Sequence, residues 1–202
     1  MSVSPKLPAL ERRAAIVESA IKLFSEKGFR GATTRELASN LGVTEPVLYQ
    51  HFATKRDLYS AIIEFKSNDV RTVLAELESY LDKKDDPGFF RHLASLILRF
   101  YEHDPAYLRL LLYSSLERHE LSDLFHERQA GGFQNAVTHY IQRRMEEGAL
   151  RHMDPVFASQ SFMGMIAHYG MNRMLHPHIQ PTMNHDDVVN GMVDIFLRGI
   201  QE

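Results

Sequence analysis

The spacing of apolar residues is helical along most of the chain, and this feature limits the fold more than any other. Ile16, Val17, Ala20, Leu23 and Phe24 recur at steps of three and four residues, which places them on one face of a helix over about residues 10–27. No segment shows a sustained alternation with a period of two, the pattern of a half-buried strand. The sequence therefore predicts an all-α fold of about nine helices.

Boundary signals divide the first fifty residues into short helices. Gly28 follows the last periodic residue of the first helix, where a left-handed backbone favours glycine. Thr33-Thr-Arg-Glu36 has the spacing of a capping box, and Gly42 ends the helix that it begins. A third short helix follows, and Thr54-Lys-Arg-Asp57 opens a long one. These signals predict a packing unit over residues 10–52 that differs from the long helices after it.

Composition excludes several classes of protein. The chain of 202 residues contains no cysteine, which excludes a disulfide scaffold, a thiolate zinc site, an iron–sulfur cluster and a cysteine nucleophile. No apolar run is long enough for a membrane span, and the first residues lack the order of a signal peptide. We therefore expect a cytoplasmic protein without a membrane segment.

The distribution of charge differs between the two ends of the chain. The net charge is −3, but residues 1–66 carry ten basic and seven acidic side chains, so the remainder has a balance of −6. A basic end on an acidic body is compatible with an end that faces nucleic acid.

The stretch from Leu37 to Phe52 has the spacing of a helix-turn-helix. Ala38 is small where two helices would cross closely, and Gly42 follows four residues later where the turn needs a positive φ. Val43 and Leu48 supply apolar contacts for the second helix. In a DNA-binding protein this geometry presents the second helix to a major groove. The spacing alone is equally compatible with a simple helical hairpin.

The longer string from Thr33 to Leu58 resembles the DNA-binding domain of the TetR family of transcriptional regulators. Ala20, Leu23-Phe24 and Lys27-Gly28-Phe29 also match the first helix of that family, so the resemblance covers residues 12–63. It implies a DNA-binding domain over residues 1–54 and a helical effector-binding and dimerisation domain over residues 55–202. It also implies a ligand-responsive regulator, most often a repressor, with no cofactor.

The resemblance assigns DNA contacts position by position. Thr34, Tyr49 and Lys55 match residues that contact phosphates. The positions that match base-reading residues are Arg35, Glu45, Pro46, Val47, Gln50 and His51. Arginine pairs well with guanine, glutamine with adenine, and valine packs on a thymine methyl group. Glu45 is exceptional because phosphates repel a carboxylate: it either accepts a hydrogen bond from cytosine or complements its helix dipole, and the dipole role is favoured.

Family members dimerise through their last two helices, which correspond here to residues 155–175 and 186–200. The small residues of the first helix and the broad apolar face of the second predict the contacts, although an ordinary core helix is the alternative for the second. The predicted dimer residues are Ser161, Gly164, His168, Val189, Met192, Val193 and Phe196. A two-fold symmetric homodimer would bind a palindromic operator in double-stranded DNA.

The resemblance also implies a ligand cavity among the middle helices. Aromatic and methionine side chains in that region predict a small, mainly apolar effector, although most aromatic residues at helical spacing belong to a core. The candidate lining residues are Phe100, Tyr101, Tyr107, Tyr113, Phe133, Tyr140, Phe162, Met165 and Tyr169. Effector binding would shift the dimer, through the long helix that begins at Lys55, to a state with wrongly spaced recognition helices.

Two alternative binding functions remain open from the sequence. One is a metal-responsive regulator, and its candidate ligands are His168, His176, His178 and His185. The other is an interaction protein that keeps the fold without DNA binding. The presence of Arg35, Tyr49 and Lys55 argues against this second alternative.

The sequence does not predict an enzyme. His119-Glu120 and His126-Glu127 begin like zinc-protease motifs, but neither histidine is followed by a second histidine four residues later. The chain also lacks a phosphate-binding glycine loop and a nucleophile elbow. We therefore predict no catalytic residues.

Overall fold

The computed structural model describes residues 8–179 and 183–201, the side chains of residues 9, 67–72 and 81 apart. Within these ranges the fold is all-α, apart from one isolated bridge between Leu150 and Gln201. The ten α-helices of the described chain are α1 (Ala9–Gly31), α2 (Thr34–Asn40), α3 (Glu45–His51), α4 (Lys55–Lys83), α5 (Asp86–His103), α6 (Pro105–Leu116), α7 (Glu120–Phe125), α8 (Gly131–Glu146), α9 (Pro155–Leu175) and α10 (His185–Ile200).

The predicted all-α class is confirmed, and the additional helix has a local cause. The segment predicted as one kinked helix over residues 121–147 consists of α7 and α8, which are joined by a π-helical turn at His126–Ala130. The turn lies directly before Gly131-Gly132, where the kink was predicted. None of the helices in the described residues is both long and apolar enough to cross a bilayer.

Packing divides the described chain into two compact units. The N-terminal unit contains residues 8–68 and 106–128, and the C-terminal unit contains residues 69–105, 129–179 and 183–201. The packing boundary in α4 therefore falls later than the predicted functional boundary between residues 54 and 55. The reason is that Leu58, Tyr59 and Ile62 of α4 are buried, and the ring of Tyr59 lies 6.0 Å from that of Phe24 in α1.

A glycine with a left-handed backbone breaks the helical geometry near the end of α1. Gly28 has φ 68°, as its position in the sequence predicted. A Cβ atom at this position would lie 2.5 Å from Oε1 of Glu117. The other carboxylate oxygen of Glu117 accepts a hydrogen bond from the backbone N–H of Arg30 at 3.2 Å. The backbone angle therefore favours glycine here, and a Cβ atom would also have to displace the carboxylate of Glu117.

Only one of the two hydrogen bonds of the predicted capping box is made at the start of α2. The backbone N–H of Glu36 donates to Oγ1 of Thr33 at 3.1 Å, as expected of an N-cap threonine. The carboxylate of Glu36 does not cap Thr33 in return, because it contacts the ammonium group of Lys27 in α1. The side chain predicted to close the box instead links α1 to α2.

The core of the C-terminal unit is formed by α5, α8, α9 and α10. The rings of Phe89 and Tyr140 stack with centroids 3.6 Å apart. The ring of Phe90 lies 4.8 Å from that of Phe162 and 5.1 Å from that of Phe196. The apolar face of α10 thus closes the core of its own chain.

This packing involves four of the predicted dimer residues. Val189, Met192, Val193 and Phe196 were expected to contact a second copy, but all four are buried within their own chain. α5 and α9 use the broad face of α10 as a core surface, and the dimer role of these four residues stays a prediction. Ser161, Gly164 and His168 of α9 are exposed and stay predicted dimer residues.

A buried polar cluster fixes the start of α5 against the end of α8. The carboxylate of Asp86 accepts hydrogen bonds from the hydroxyl of Tyr140 at 2.7 Å and from Nε and Nη2 of Arg144 at 2.7 and 3.1 Å. Burial and the bond to Asp86 raise the pKa of Tyr140, so this hydroxyl remains a donor. The bond to Asp86 also raises the pKa of Arg144. The cluster is therefore a charged pair with most of its hydrogen bonds made inside the protein.

We expect Asp86→Asn to lower the free energy of unfolding by about 3 kcal/mol, because it leaves the buried Arg144 guanidinium without its main counter-charge. Urea denaturation of the full chain, followed by circular dichroism, measures this change. The matched control is Asp194→Asn, which removes an exposed carboxylate 2.7 Å from Arg198 and should change stability little. Equal losses in the two variants would contradict the importance of the cluster.

Candidate nucleic-acid interface

The N-terminal unit contains a helix-turn-helix with the predicted geometry. Gly42 has φ 65° in the turn between α2 and α3. The backbone N–H of Val43 then donates to the carbonyl oxygen of Ala38 at 3.0 Å. Leu37 and Leu48 are buried between the helices. These contacts fix α3 against α2 and leave the opposite face of α3 at the surface.

The three predicted phosphate contacts lie together. Thr34, Tyr49 and Lys55 line one small surface depression of about 20 Å³, which is also lined by the buried residues Leu37 and Leu58. Tyr49 is 47% exposed, so its side chain is available at the surface rather than packed in a core. The structure therefore places these three residues around the same small depression.

The reciprocal capping box at the start of α4 holds Lys55 at this depression. The backbone N–H of Asp57 donates to Oγ1 of Thr54 at 3.1 Å, and the backbone N–H of Thr54 donates to Oδ2 of Asp57 at 2.9 Å. This box was predicted from the sequence and is confirmed. It satisfies two amide groups at the helix start and so fixes the backbone at Lys55.

The predicted base-reading residues differ in exposure. The side chain of Arg35 is 88% exposed. Pro46 and Gln50 are exposed, whereas Val47, His51 and Glu45 are partly buried. Six residues of α2 and α3 are thus accessible to different degrees next to the depression, and their role as DNA contacts stays a prediction.

Arg13 is a part of this region that the sequence pattern did not indicate. Its Nη1 donates to the backbone carbonyl of His51 at 2.9 Å, and its guanidinium lies 4.3 Å from the ring centroid of Phe52. Arg13 therefore ties α1 to the end of α3. A separation of 38 residues leaves no local pattern in the sequence that would reveal this contact.

Glu45 makes a contact that neither of its two predicted roles included. Its Oε1 accepts a hydrogen bond from the hydroxyl of Thr34 at 2.8 Å. Its Oε2 lies 3.9 Å from Nε of Arg35. The first residue of α3 thus binds the first two residues of α2.

An aromatic cluster connects α1, α4 and the loop before α7 within the N-terminal unit. The ring of His119 stacks on Phe29 with centroids 3.9 Å apart and meets Tyr59 edge-on at 4.6 Å. Burial lowers the pKa of His119, so the stacked ring is neutral at pH 7. Burial also raises the pKa of Tyr59 to about 12. These residues line an open groove of about 340 Å³, together with Lys55.

The predicted ligand residues do not all belong to one unit. Tyr107 and Tyr113 lie in the N-terminal unit, where Tyr107 is fully buried and Tyr113 is exposed. Tyr140 and Phe162 serve the core of the C-terminal unit. The remaining candidates are partly buried in the C-terminal unit and stay predictions: Phe100, Tyr101, Phe133, Met165 and Tyr169.

The four histidines considered as metal ligands do not form a site. The rings of His176 and His178 lie 5.9 Å apart, but His185 contacts Ser95 and Glu102. His168 is exposed on α9. Across residues 8–179 and 183–201 there is no group of three or more side chains suited to hold a metal ion. The metal alternative therefore has no structural support.

Comparisons with known proteins agree with a helix-turn-helix regulator followed by a helical domain. Residues 16–62 match the family model of bacterial regulatory proteins of the tetR family. Residues 93–199 match the model of the AefR-like transcriptional repressor C-terminal domain. The chain belongs to the TetR family of bacterial regulatory proteins, which are DNA-binding transcriptional regulators.

Two relatives each match about half of the chain. The HTH-type transcriptional activator FasR of Mycolicibacterium smegmatis is 34% identical over 107 residues, 52% of this chain and 48% of FasR. The nucleoid occlusion factor SlmA of Klebsiella pneumoniae is 36% identical over 101 residues, 50% of each chain. The matches thus span about half the length of these relatives.

A solved structure extends the likeness of fold to nearly the whole chain. FadR of Bacillus subtilis, solved in complex with stearoyl-CoA, has a TM-score of 0.65 and 17% identity over 93% of this chain and 99% of FadR. At this identity the comparison shows a shared fold alone.

Proposed function

We propose that this protein is a transcriptional repressor that binds a palindromic operator as a homodimer and is released by a small, mainly apolar effector. The observation that carries the proposal is the convergence of Thr34, Tyr49 and Lys55 on one surface beside an exposed face of α3. Repression is favoured because the C-terminal region matches a model described as that of a repressor.

In this proposal Thr34, Tyr49 and Lys55 bind phosphates, and the accessible residues of α2 and α3 bind bases. Thr34, Tyr49 and Lys55 donate hydrogen bonds to phosphate oxygens, which fix the position of the protein on the duplex. Arg35 and Gln50 have the donor geometry that suits guanine and adenine. Pro46, Val47 and His51 form the rest of the protein surface that faces the major groove of the DNA.

Selection of fragments from the source genome by the purified protein tests this proposal. We expect the bound fragments to share a palindrome with half-sites one helical turn, about 34 Å, or a multiple of it apart. A protein that shows no preference for any fragment over random duplex at moderate ionic strength would contradict operator binding. That result would favour an interaction protein that has kept the fold.

Lys55→Ala should weaken binding to all sequences alike. Each lost phosphate contact makes the dependence of log Kobs on log salt less steep by about 0.9. Binding to the operator and to random duplex, measured by fluorescence anisotropy at several salt concentrations, gives both slopes. Lys22→Ala is the matched control, because Lys22 is exposed on α1 of the same unit. An unchanged slope in Lys55→Ala would remove Lys55 from the interface.

We place the dimer interface on the exposed face of α9, together with part of α10. Phe157, Ser161, Gly164, His168 and Leu175 follow one another at helical steps and are all exposed. Phe157 is 67% and Leu175 54% exposed, and Ile195 of α10 is 69% exposed. Large apolar side chains that repeat along one accessible helix face are typical of an interface with another chain.

Gly164→Arg should convert the dimer to a monomer and weaken operator binding. A Cβ at Gly164 meets no atom within 4 Å in its own chain, so the variant should fold normally. The arginine would place charge in the closely packed centre of the interface. Light scattering after size exclusion measures the mass. His139→Arg, at an exposed position of α8, is the control and should remain dimeric; a dimeric Gly164→Arg would exclude this face.

The effector is proposed to bind among the partly buried aromatic residues of the C-terminal unit, which include Tyr101, Phe133 and Tyr169. A regulator of similar fold, FadR of Bacillus subtilis, was solved in complex with stearoyl-CoA, which supports a ligand with a long apolar part. Binding would favour the state of the dimer with wrongly spaced recognition helices, and α4 provides the connection along the chain.

Stearoyl-CoA is therefore the first effector to test, with free coenzyme A as the control that lacks the acyl chain. We expect saturating stearoyl-CoA to lower operator affinity by about 5- to 150-fold, the usual range of allosteric coupling, and coenzyme A to change it little. The two ligands are compared by anisotropy with a labelled operator. If a panel of apolar ligands, including stearoyl-CoA, leaves operator affinity unchanged, the effector part of the proposal is wrong.

A further inference from the structure

The carboxylate of Glu45 lies among groups that are proposed to bind DNA. Its Oε1 accepts the hydroxyl hydrogen bond of Thr34 at 2.8 Å, and its Oε2 lies 3.9 Å from Nε of Arg35. Thr34 is proposed to bind a phosphate and Arg35 a base. Glu45 therefore occupies the hydroxyl donor of Thr34 and lies close to Arg35, two groups that are proposed to contact DNA.

The contact with Thr34 excludes a simultaneous contact with DNA. A threonine hydroxyl has one proton to donate, so it can serve either the carboxylate or a phosphate oxygen. When a phosphate takes this proton, the carboxylate loses a donor and lies close to a second negative charge. Any duplex that approaches this face thus meets a cost that depends on Glu45.

The contact between Glu45 and Arg35 is longer and more exposed than the hydrogen bond between Glu45 and Thr34. The Arg35 side chain is 88% exposed and its Nε is 3.9 Å from the carboxylate, so the pair is loose and open to solvent. Exposed ion pairs of this kind are weak. Arg35 can therefore leave Glu45 when a guanine offers two acceptors in bidentate geometry.

We propose that Glu45 makes the DNA interface selective, because it competes with phosphates for the Thr34 hydroxyl and gives up its weak contact with Arg35 when a matching base offers a better one. This inference rests on the proposed function as a DNA-binding regulator.

The proposal follows from the different contacts that contribute to non-specific binding and to operator binding. Non-specific binding comes almost entirely from phosphate contacts, so a carboxylate that competes with phosphates lowers it directly. Operator binding also includes base contacts, and the new contacts of Arg35 offset the cost. Specificity is the ratio of the two affinities, and a group that penalises the wrong DNA raises this ratio.

Glu45→Gln is the direct test, because glutamine keeps the shape of the side chain and removes its charge. The probes are the selected operator and a random duplex of about 30 base pairs, enough for two half-sites. We expect affinity for the random duplex to rise roughly eightfold for each bound protomer at about 0.1 M salt, the effect of one more released counterion. Affinity for the operator should change much less, so the specificity ratio falls.

Two further variants separate this mechanism from a general charge effect. Glu26→Gln makes the same charge change at an exposed position of α1 and should leave the ratio unchanged. Thr34→Val removes the shared donor, so Glu45→Gln should have a smaller effect in that background. Thermal melts of all variants, measured by circular dichroism, establish that they are folded.

The possible results distinguish this inference from the proposed function. A wild-type protein without operator preference contradicts the proposed function. A selective wild-type protein in which Glu45→Gln behaves like Glu26→Gln contradicts the role of Glu45 alone. The role of Glu45 is also contradicted if Glu45→Gln weakens the operator at one cytosine position without strengthening random duplex, because Glu45 then reads a base directly.

Discussion

The close contact between α2 and α3 is the constraint on which the proposed interface depends. The backbone bond from Val43 to Ala38 exists because Gly42 adopts a positive φ and because alanine leaves room for the turn. With α3 held in this way, Tyr49 and Thr34 reach the same depression from different helices. A regular backbone feature thus brings residues of both helices to one surface.

The local parts of the fold could be predicted from the sequence because their causes are local. The glycine turn at Gly28 and the box between Thr54 and Asp57 each depend on a few neighbouring residues, and both are found as expected. Contacts between distant segments could not be predicted in this way. The carboxylate of Glu36 binds Lys27 rather than its own helix start, since a charged partner on α1 was available.

The apolar face of α10 shows why the spacing of apolar residues predicts that they are buried but not which surface covers them. Val193 and Phe196 are buried as their spacing indicated, yet they contact α5 and α9 of the same chain. Periodicity alone contains no information on whether the covering surface belongs to the same molecule. The sequence alone does not separate the exposed face of α9, which includes Phe157, from the residues that are buried within the chain.

The contact between Gly28 and Glu117 has an evolutionary consequence. A Cβ at position 28 would meet the carboxylate at 2.5 Å, and that carboxylate also receives the amide of Arg30. The side chain of Glu117 therefore contacts a segment nearly ninety residues away in the chain. A lineage that shortens the acidic side chain gains space at position 28 but loses the acceptor of the Arg30 amide, and the positive φ still favours glycine, so we expect glycine to persist when position 117 changes.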